Sequence, residues 1–153
     1  MTLAMDKLVN QALIGELESL RDAIREAAEP LTEGQFWSKP LQPGNSVGNL
    51  IQHLTGNLNH FVGAQLGKTG YVREREKEFI ATFTPLKFET LKLLDIAVSL
   101  FRHVVSGLTA DQLAAPHPES KFGSVLNTLV HVVAHFAIHR GQISYIVRLV
   151  QAK

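Results

Sequence analysis

Cysteine is absent from this chain. That excludes a disulfide scaffold, a thiolate metal site and a cysteine nucleophile, and it fits a reducing cytoplasm, which is the expected location. Charge is also scarce. Asp, Glu, Lys and Arg make up 19% of the 153 residues, and the net charge is +1. No basic block is present to hold nucleic acid or an acidic membrane surface, so neither partner is expected. The first twenty residues carry acids and lack a long apolar run, which is unlike a signal peptide. No apolar stretch reads as a membrane span, because the apolar C-terminal segment is interrupted by histidines and by Arg140 and Arg148. Glycine-rich phosphate loops, nucleophilic serine motifs, internal repeats and low-complexity segments are all missing. One further absence is local: residues 46–73 and 120–153 contain no Asp or Glu at all.

What is present is a helical rhythm. Hydrophobic residues make up 45% of the chain, enough for one domain, residues 1–153, with a full-sized core. Leu13, Leu17, Leu20 and Ile24 recur at steps of four and three, which predicts a helix from about Met5 to Glu29, stopped by Pro30. A loop with Gly34, Pro40, Pro43 and Gly44 follows, and it holds the only tryptophan, Trp37. A second helix is predicted from a cap at Asn45 or Ser46 to about Leu66. The alternating charges from Arg73 to Glu78 read most simply as a solvated connection, with a lining for the mouth of a site or a subunit contact as the alternative. A third helix is expected to open near Thr84-Pro85 and to carry Leu91, Leu94, Val98, Phe101, Val105 and Leu108 on one stripe. A second loop spans 107–123. The fourth helix, Ser124 to about Val150, packs through Val125, Leu129, Val132, Phe136, Ile143, Val147 and Val150. Four amphipathic helices with no competing strand pattern predict an all-α four-helix bundle, and its sizeable connections leave room for a non-simple topology.

The chain has seven histidines, and three fall in register on the fourth helix: His131, His135 and His139. Steps of four place neighbours about 40° apart on an α-helix, so the three form one slowly turning stripe. Two imidazoles at i and i+4 aim their nitrogens at a common point, a geometry suited to a transition-metal ion. The second helix carries its own polar stripe of Asn49, His53, Asn57 and His60. Polar groups buried inside a bundle cost about 1–3 kcal/mol each if unpaired, and an ion with its supporting residues supplies the partners. Neither histidine-bearing helix offers a carboxylate. That excludes a His-Glu-x-x-His hydrolase motif and a carboxylate-bridged di-metal bundle. An all-imidazole set with open positions remains, suited to zinc or nickel and open to iron, cobalt or copper. The spacing alone also admits a solvated face with no ion.

The segment Asn45-Ser-Val-Gly-Asn-Leu-Ile-Gln-His53-Leu-Thr-Gly-Asn57, followed by His135-Phe-Ala-Ile-His139-Arg-Gly-Gln142, resembles the DinB/YfiT-like superfamily across nearly the whole chain. The charged stretch from Arg73 to Phe79 resembles an uncharacterised bacterial branch of it. The resemblance implies a metal-dependent four-helix bundle, with His53, His135 and His139 as ligands, waters at the remaining positions, and nickel or zinc as the ion. It implies a homodimer as well. His131 then falls outside the ligand set and is expected to line the pocket or support a ligand. Asn49, Asn57, Thr128 and Gln142 are candidates to accept a hydrogen bond from the ligands' other ring nitrogens. His60 lies about 10 Å along the axis from His53, too far to share its ion. His103 is expected to be exposed, and His117 lies in a loop between prolines. Relatives include thiol-dependent transferases that take a low-molecular-weight thiol as cosubstrate, so S-transfer to a small molecule is the first functional expectation, with hydrolysis at the same ligands as a variant. The alternative is a non-catalytic bundle that an ion fastens together. No catalytic acid or base is assigned.

Overall fold

The three-four rhythm of apolar residues produces four long helices and two short ones in the structure, a computed structural model that describes residues 4–80 and 84–152. The helices are α1 (Met5–Ala28), α2 (Glu33–Trp37), α3 (Val47–Leu58), α4 (Lys87–Ser106), α5 (Ala110–Ala114) and α6 (Val125–Gln151). Among the described residues there is no strand, only one isolated bridge between Pro116 and Ser124.

Local chemistry sets the boundaries. Ser46 caps α3: its hydroxyl accepts from the Asn49 amide at 3.0 Å, and the Asn49 side chain accepts from the Ser46 amide at 3.2 Å. Regular α-helix ends at Leu58, earlier than the rhythm predicts, and the chain continues through a wider π-helical turn, Asn59–Ala64. Gly67 closes it by donating to the Val62 carbonyl at 2.8 Å. The next long helix, α4, opens at Lys87 rather than at Pro85, because the Glu89 carboxylate accepts from the Leu86 amide at 3.1 Å and fixes the first turn there. Both predicted loops contain a short helix, α2 and α5. Each starts on a reciprocal cap, Thr32 with Gln35 and Thr109 with Gln112.

Side α1 of the bundle packs on α4 and α6, and α3 packs on the same two. The cyclic order is therefore α1, α4, α3, α6, and the consecutive long helices α1 and α3 sit diagonally. The connection between them crosses the bundle end, where α2 lies against α3 and α6. Leu17 and Ile24 from α1, Leu54 and Leu58 from α3, Leu94 and Phe101 from α4, and Leu129 and Phe136 from α6 are fully buried in one apolar cluster. Burial of such side chains is worth about 1.5–3 kcal/mol each. Ties across the surface are weaker: Arg21 and Arg25 of α1 reach Asp95 of α4 at 3.2 and 2.8 Å, half-exposed pairs of the kind worth about 0–1 kcal/mol.

Trp37 covers the core rather than the histidines. Its ring lies on α3 at Gly48, where a Cβ would come within 2.4 Å of the indole. Gly48→Ala is therefore expected to push the indole off the helix and to destabilise the fold by about 1–3 kcal/mol. A lowered thermal midpoint together with a red-shifted tryptophan emission checks this. An unchanged emission would mean that the ring does not sit there.

Candidate metal centre

His53 projects from α3 and meets His135 and His139 from α6 across the bundle. The Nε2 atoms of His53 and His135 lie 3.0 Å apart, and those of His135 and His139 lie 2.9 Å apart. One ring nitrogen from each of the three falls within 4.8 Å of the others. The rings meet edge to face, with centroids 4.4–5.0 Å apart. His53 is buried, whereas His135 and His139 are half-buried at the rim.

Hydrogen bonds at the outer nitrogens decide what the inner ones carry. The Nδ1 of His53 faces the Glu78 carboxylate at 3.0 Å, and the Nδ1 of His139 faces the Gln142 side-chain oxygen at 2.7 Å. A carboxylate or carbonyl oxygen only accepts, so each Nδ1 carries a proton, and in the neutral ring each Nε2 then presents a lone pair. Both lone pairs point at the Nε2 of His135, which holds at most one proton. The Nδ1 of His135 is itself buried without a hydrogen-bond partner among the described residues. A proton on His135 or His139 does not resolve the crowding. Burial pushes His135 down to about 3, helped by His139, His53, His131 and Arg73. Burial also lowers His139, against the opposing pull of Gln142. Three imidazoles thus converge, with His135 and His139 held toward the neutral form, and the donor set fits a cation. Two nitrogens each about 2.1 Å from one ion lie about 3.0 Å apart at a right angle and about 3.4 Å apart at a tetrahedral angle, and the observed spacings fall at the near end of that range.

Glu78 enters from the segment expected to be solvated. It sits in a short 3₁₀ turn, Arg75–Phe79, docked on α3, and it is buried. Arg73 grips its carboxylate with both arms, at 2.7 and 2.8 Å. Burial alone would raise the Glu78 carboxyl, but the His53 and Arg73 bonds outweigh it and hold it below the ordinary carboxylate range. The expectation of a solvated connection is corrected at these two residues. It holds for Glu74 and Lys77, which are exposed and paired with each other. An acid-free pair of helices therefore still receives a carboxylate, from a loop.

The other candidates spread out. Gln142 meets a ligand's outer nitrogen as described. Asn49 instead donates to the backbone carbonyl of Glu78 at 3.3 Å. Thr128 donates to the Ser124 carbonyl one turn back, and the Asn57 side-chain oxygen is buried without a partner among the described residues. His131 is exposed and stacks on Phe122, with its ring nearly parallel to His135 at 6.4 Å. His60 pairs with Glu119 at the π-helical turn, away from the three. His103 is exposed. His117 is buried, and its Nε2 donates to the Phe61 carbonyl at 3.0 Å. A cleft of about 340 Å³ lies behind Glu78, lined by Gln52, Gly56, Tyr71, Thr90 and Leu93. A hollow of about 240 Å³ lies beside Gln142, against Leu50, Pro43 and Tyr145. No helix among the described residues is long and apolar enough to cross a membrane.

Fold and site together define an all-α, DinB-like bundle whose three-histidine group has the geometry to hold a metal ion. The model of the mycothiol-S-transferase family, a DinB/YfiT-like family, matches residues 12–150, and the chain belongs to that family. In a crystal structure, a conserved protein from Enterococcus faecalis has the same fold, with a TM-score of 0.77 and 17% identity over 99% of this chain and 100% of that one. No curated protein matches the sequence.

Proposed function

We propose that this protein is a metal-dependent thiol S-transferase whose ion is held by His53, His135 and His139. The observation that carries the reading is the convergence of three imidazoles, two of which have acceptors at the outer nitrogen that turn the inner one toward the cluster. The family description names mycothiol as the thiol. The chain has no cysteine, so the nucleophilic sulfur comes from a low-molecular-weight cosubstrate. A divalent ion bound here, zinc or nickel by the donor set, supplies Lewis acidity that lowers a thiol's pKa toward neutrality. The imidazoles leave that ion's charge uncancelled. Glu78 and Arg73 neutralise each other, so the surrounding charge stays balanced. Half-exposure of His135 and His139 leaves the centre reachable from solvent. The reading includes a cytoplasmic setting, where thiols stay reduced. It also includes a homodimer, for which the outer face of α6 offers Val130, Ile138 and Tyr145, each more than half exposed.

The test is purification without a polyhistidine tag, elemental analysis, and assay of the zinc- and nickel-loaded protein with mycothiol or bacillithiol and a chloroaromatic electrophile. The expected result is one thiol consumed per thioether formed, with loss of activity on chelation. Hydrolysis of the electrophile without thiol consumption would replace transfer with a hydrolase. Full metal occupancy with neither product would leave the non-catalytic bundle.

A further inference from the structure

Two segments of the chain, 49–56 and 73–78, meet at Glu78. Glu78 faces the Nδ1 of His53 at 3.0 Å. Arg73 holds both carboxylate oxygens. Asn49, whose own side chain caps α3, donates to the Glu78 backbone carbonyl. Gly56, one turn of α3 from His53 on the side facing the 3₁₀ turn, leaves the slot: a Cβ there would lie 2.0 Å from the Glu78 Oε2. The His53, Glu78 and Arg73 side chains are 9%, 8% and 11% exposed, so water competes little for these bonds.

An alternative arrangement is present in the same geometry. The Nη2 of Arg73 lies 3.3 Å from the Nδ1 of His53. If that nitrogen carried a lone pair, Arg73 would donate to it, and the His53 proton would move to Nε2, into the histidine cluster. The guanidinium instead directs its two short bonds at Glu78, and the carboxylate, nearer to Nδ1 at 3.0 Å than the guanidinium at 3.3 Å, requires a proton on Nδ1. The choice between a His53 that offers a lone pair to the cluster and one that blocks it therefore rests on Glu78.

We propose that Glu78 is a positioning residue for the three-histidine centre, fixing the His53 tautomer and ring direction, with Arg73 and the Gly56 slot holding it in place. This rests on the metal reading above for its consequence, but the tautomer stands without an ion. Partners behind metal-bound histidines typically contribute 10–100-fold to affinity.

The experiment uses the full chain as wild type, Glu78→Ala, Glu78→Gln and the control Lys77→Ala, whose parent side chain is exposed. Nitrogen-15 NMR of the metal-free proteins reads the His53 tautomer, and competition with a chromophoric chelator reads zinc affinity. The expected result is an Nδ1 proton in wild type and Lys77→Ala, a mixed or Nε2-protonated ring in Glu78→Ala, and zinc binding about 10–100-fold weaker in that variant. Glu78→Gln keeps an acceptor oxygen but loses the ion pair with Arg73. It is expected to fall between the two, and it decides the matter if Glu78→Ala does not fold. A wild-type tautomer and affinity in the folded glutamate variants would overturn the proposal. If wild type itself binds no zinc, the metal reading fails, while the NMR result still decides the role of Glu78.

Discussion

His139→Ala is expected to abolish tight metal binding while leaving the fold intact. The residue supplies one of three converging nitrogens, and its removal leaves only His53 and His135. Loss of a direct donor exceeds the roughly 10–100-fold cost of losing a partner behind one. The site also makes this the cleaner of the two ligand tests. His139 is half-buried at the rim, so alanine opens little space. His53→Ala is expected to lose the metal too, but it removes a buried ring and leaves the Glu78–Arg73 pair facing the gap. Elemental analysis after gel filtration, followed by calorimetric titration, measures both. His103→Ala, at an exposed position near the end of α4, serves as the control and retains wild-type affinity. Loss of metal from that variant alone would show the ion to be bound elsewhere.

Most of the frame was legible because periodicity is a local signal that survives into packing. The stripes of Leu17 and Ile24, of Leu94, Val98 and Phe101, and of Leu129, Val132 and Phe136 are the buried faces of three long helices. The two short helices carried a readable mark, a Thr-x-x-Gln cap at Thr32 and at Thr109, but proline and glycine around them dominate a composition-based reading. Spacing on two helices pointed to a site shared between them, and the family resemblance selected His53 with His135 and His139 over His131. Glu78 was not. Its neighbours Glu74, Glu76 and Lys77 are exposed, and nothing in an alternating charge run marks which acid turns inward. The mark lay elsewhere, in a glycine at position 56 of an otherwise regular helix, where the missing side chain makes room for a partner from a distant segment. Likewise, the diagonal placement of α1 and α3 depends on which faces meet, and one helix's own pattern does not specify its neighbour.

Phe136→Ala should give the largest loss of stability among these variants. The ring is wholly buried on α6, one residue from His135 and on the face turned toward the core. Truncation of a buried phenylalanine costs about 3–5 kcal/mol, because the transfer energy is lost and a cavity remains. In a chain of this size each kcal/mol lowers the midpoint by about 2–4 °C, so a fall of roughly 6–20 °C is expected in the metal-free protein. The histidines are held by the backbones of α3 and α6 and by Glu78 and Gln142, none of which the truncation removes. The folded variant should therefore still bind zinc. An ion that binds only the folded state adds about 2.7 kcal/mol when free zinc is a hundredfold above Kd. Zinc should then restore much of the lost midpoint in Phe136→Ala and raise wild type by a similar energy, while His139→Ala gains none. A midpoint in Phe136→Ala that does not move with zinc, beside a wild type that does, would mean that the core under α6 sets the histidine geometry. A fall of less than 1 kcal/mol without zinc would mean that the core closes over the missing ring.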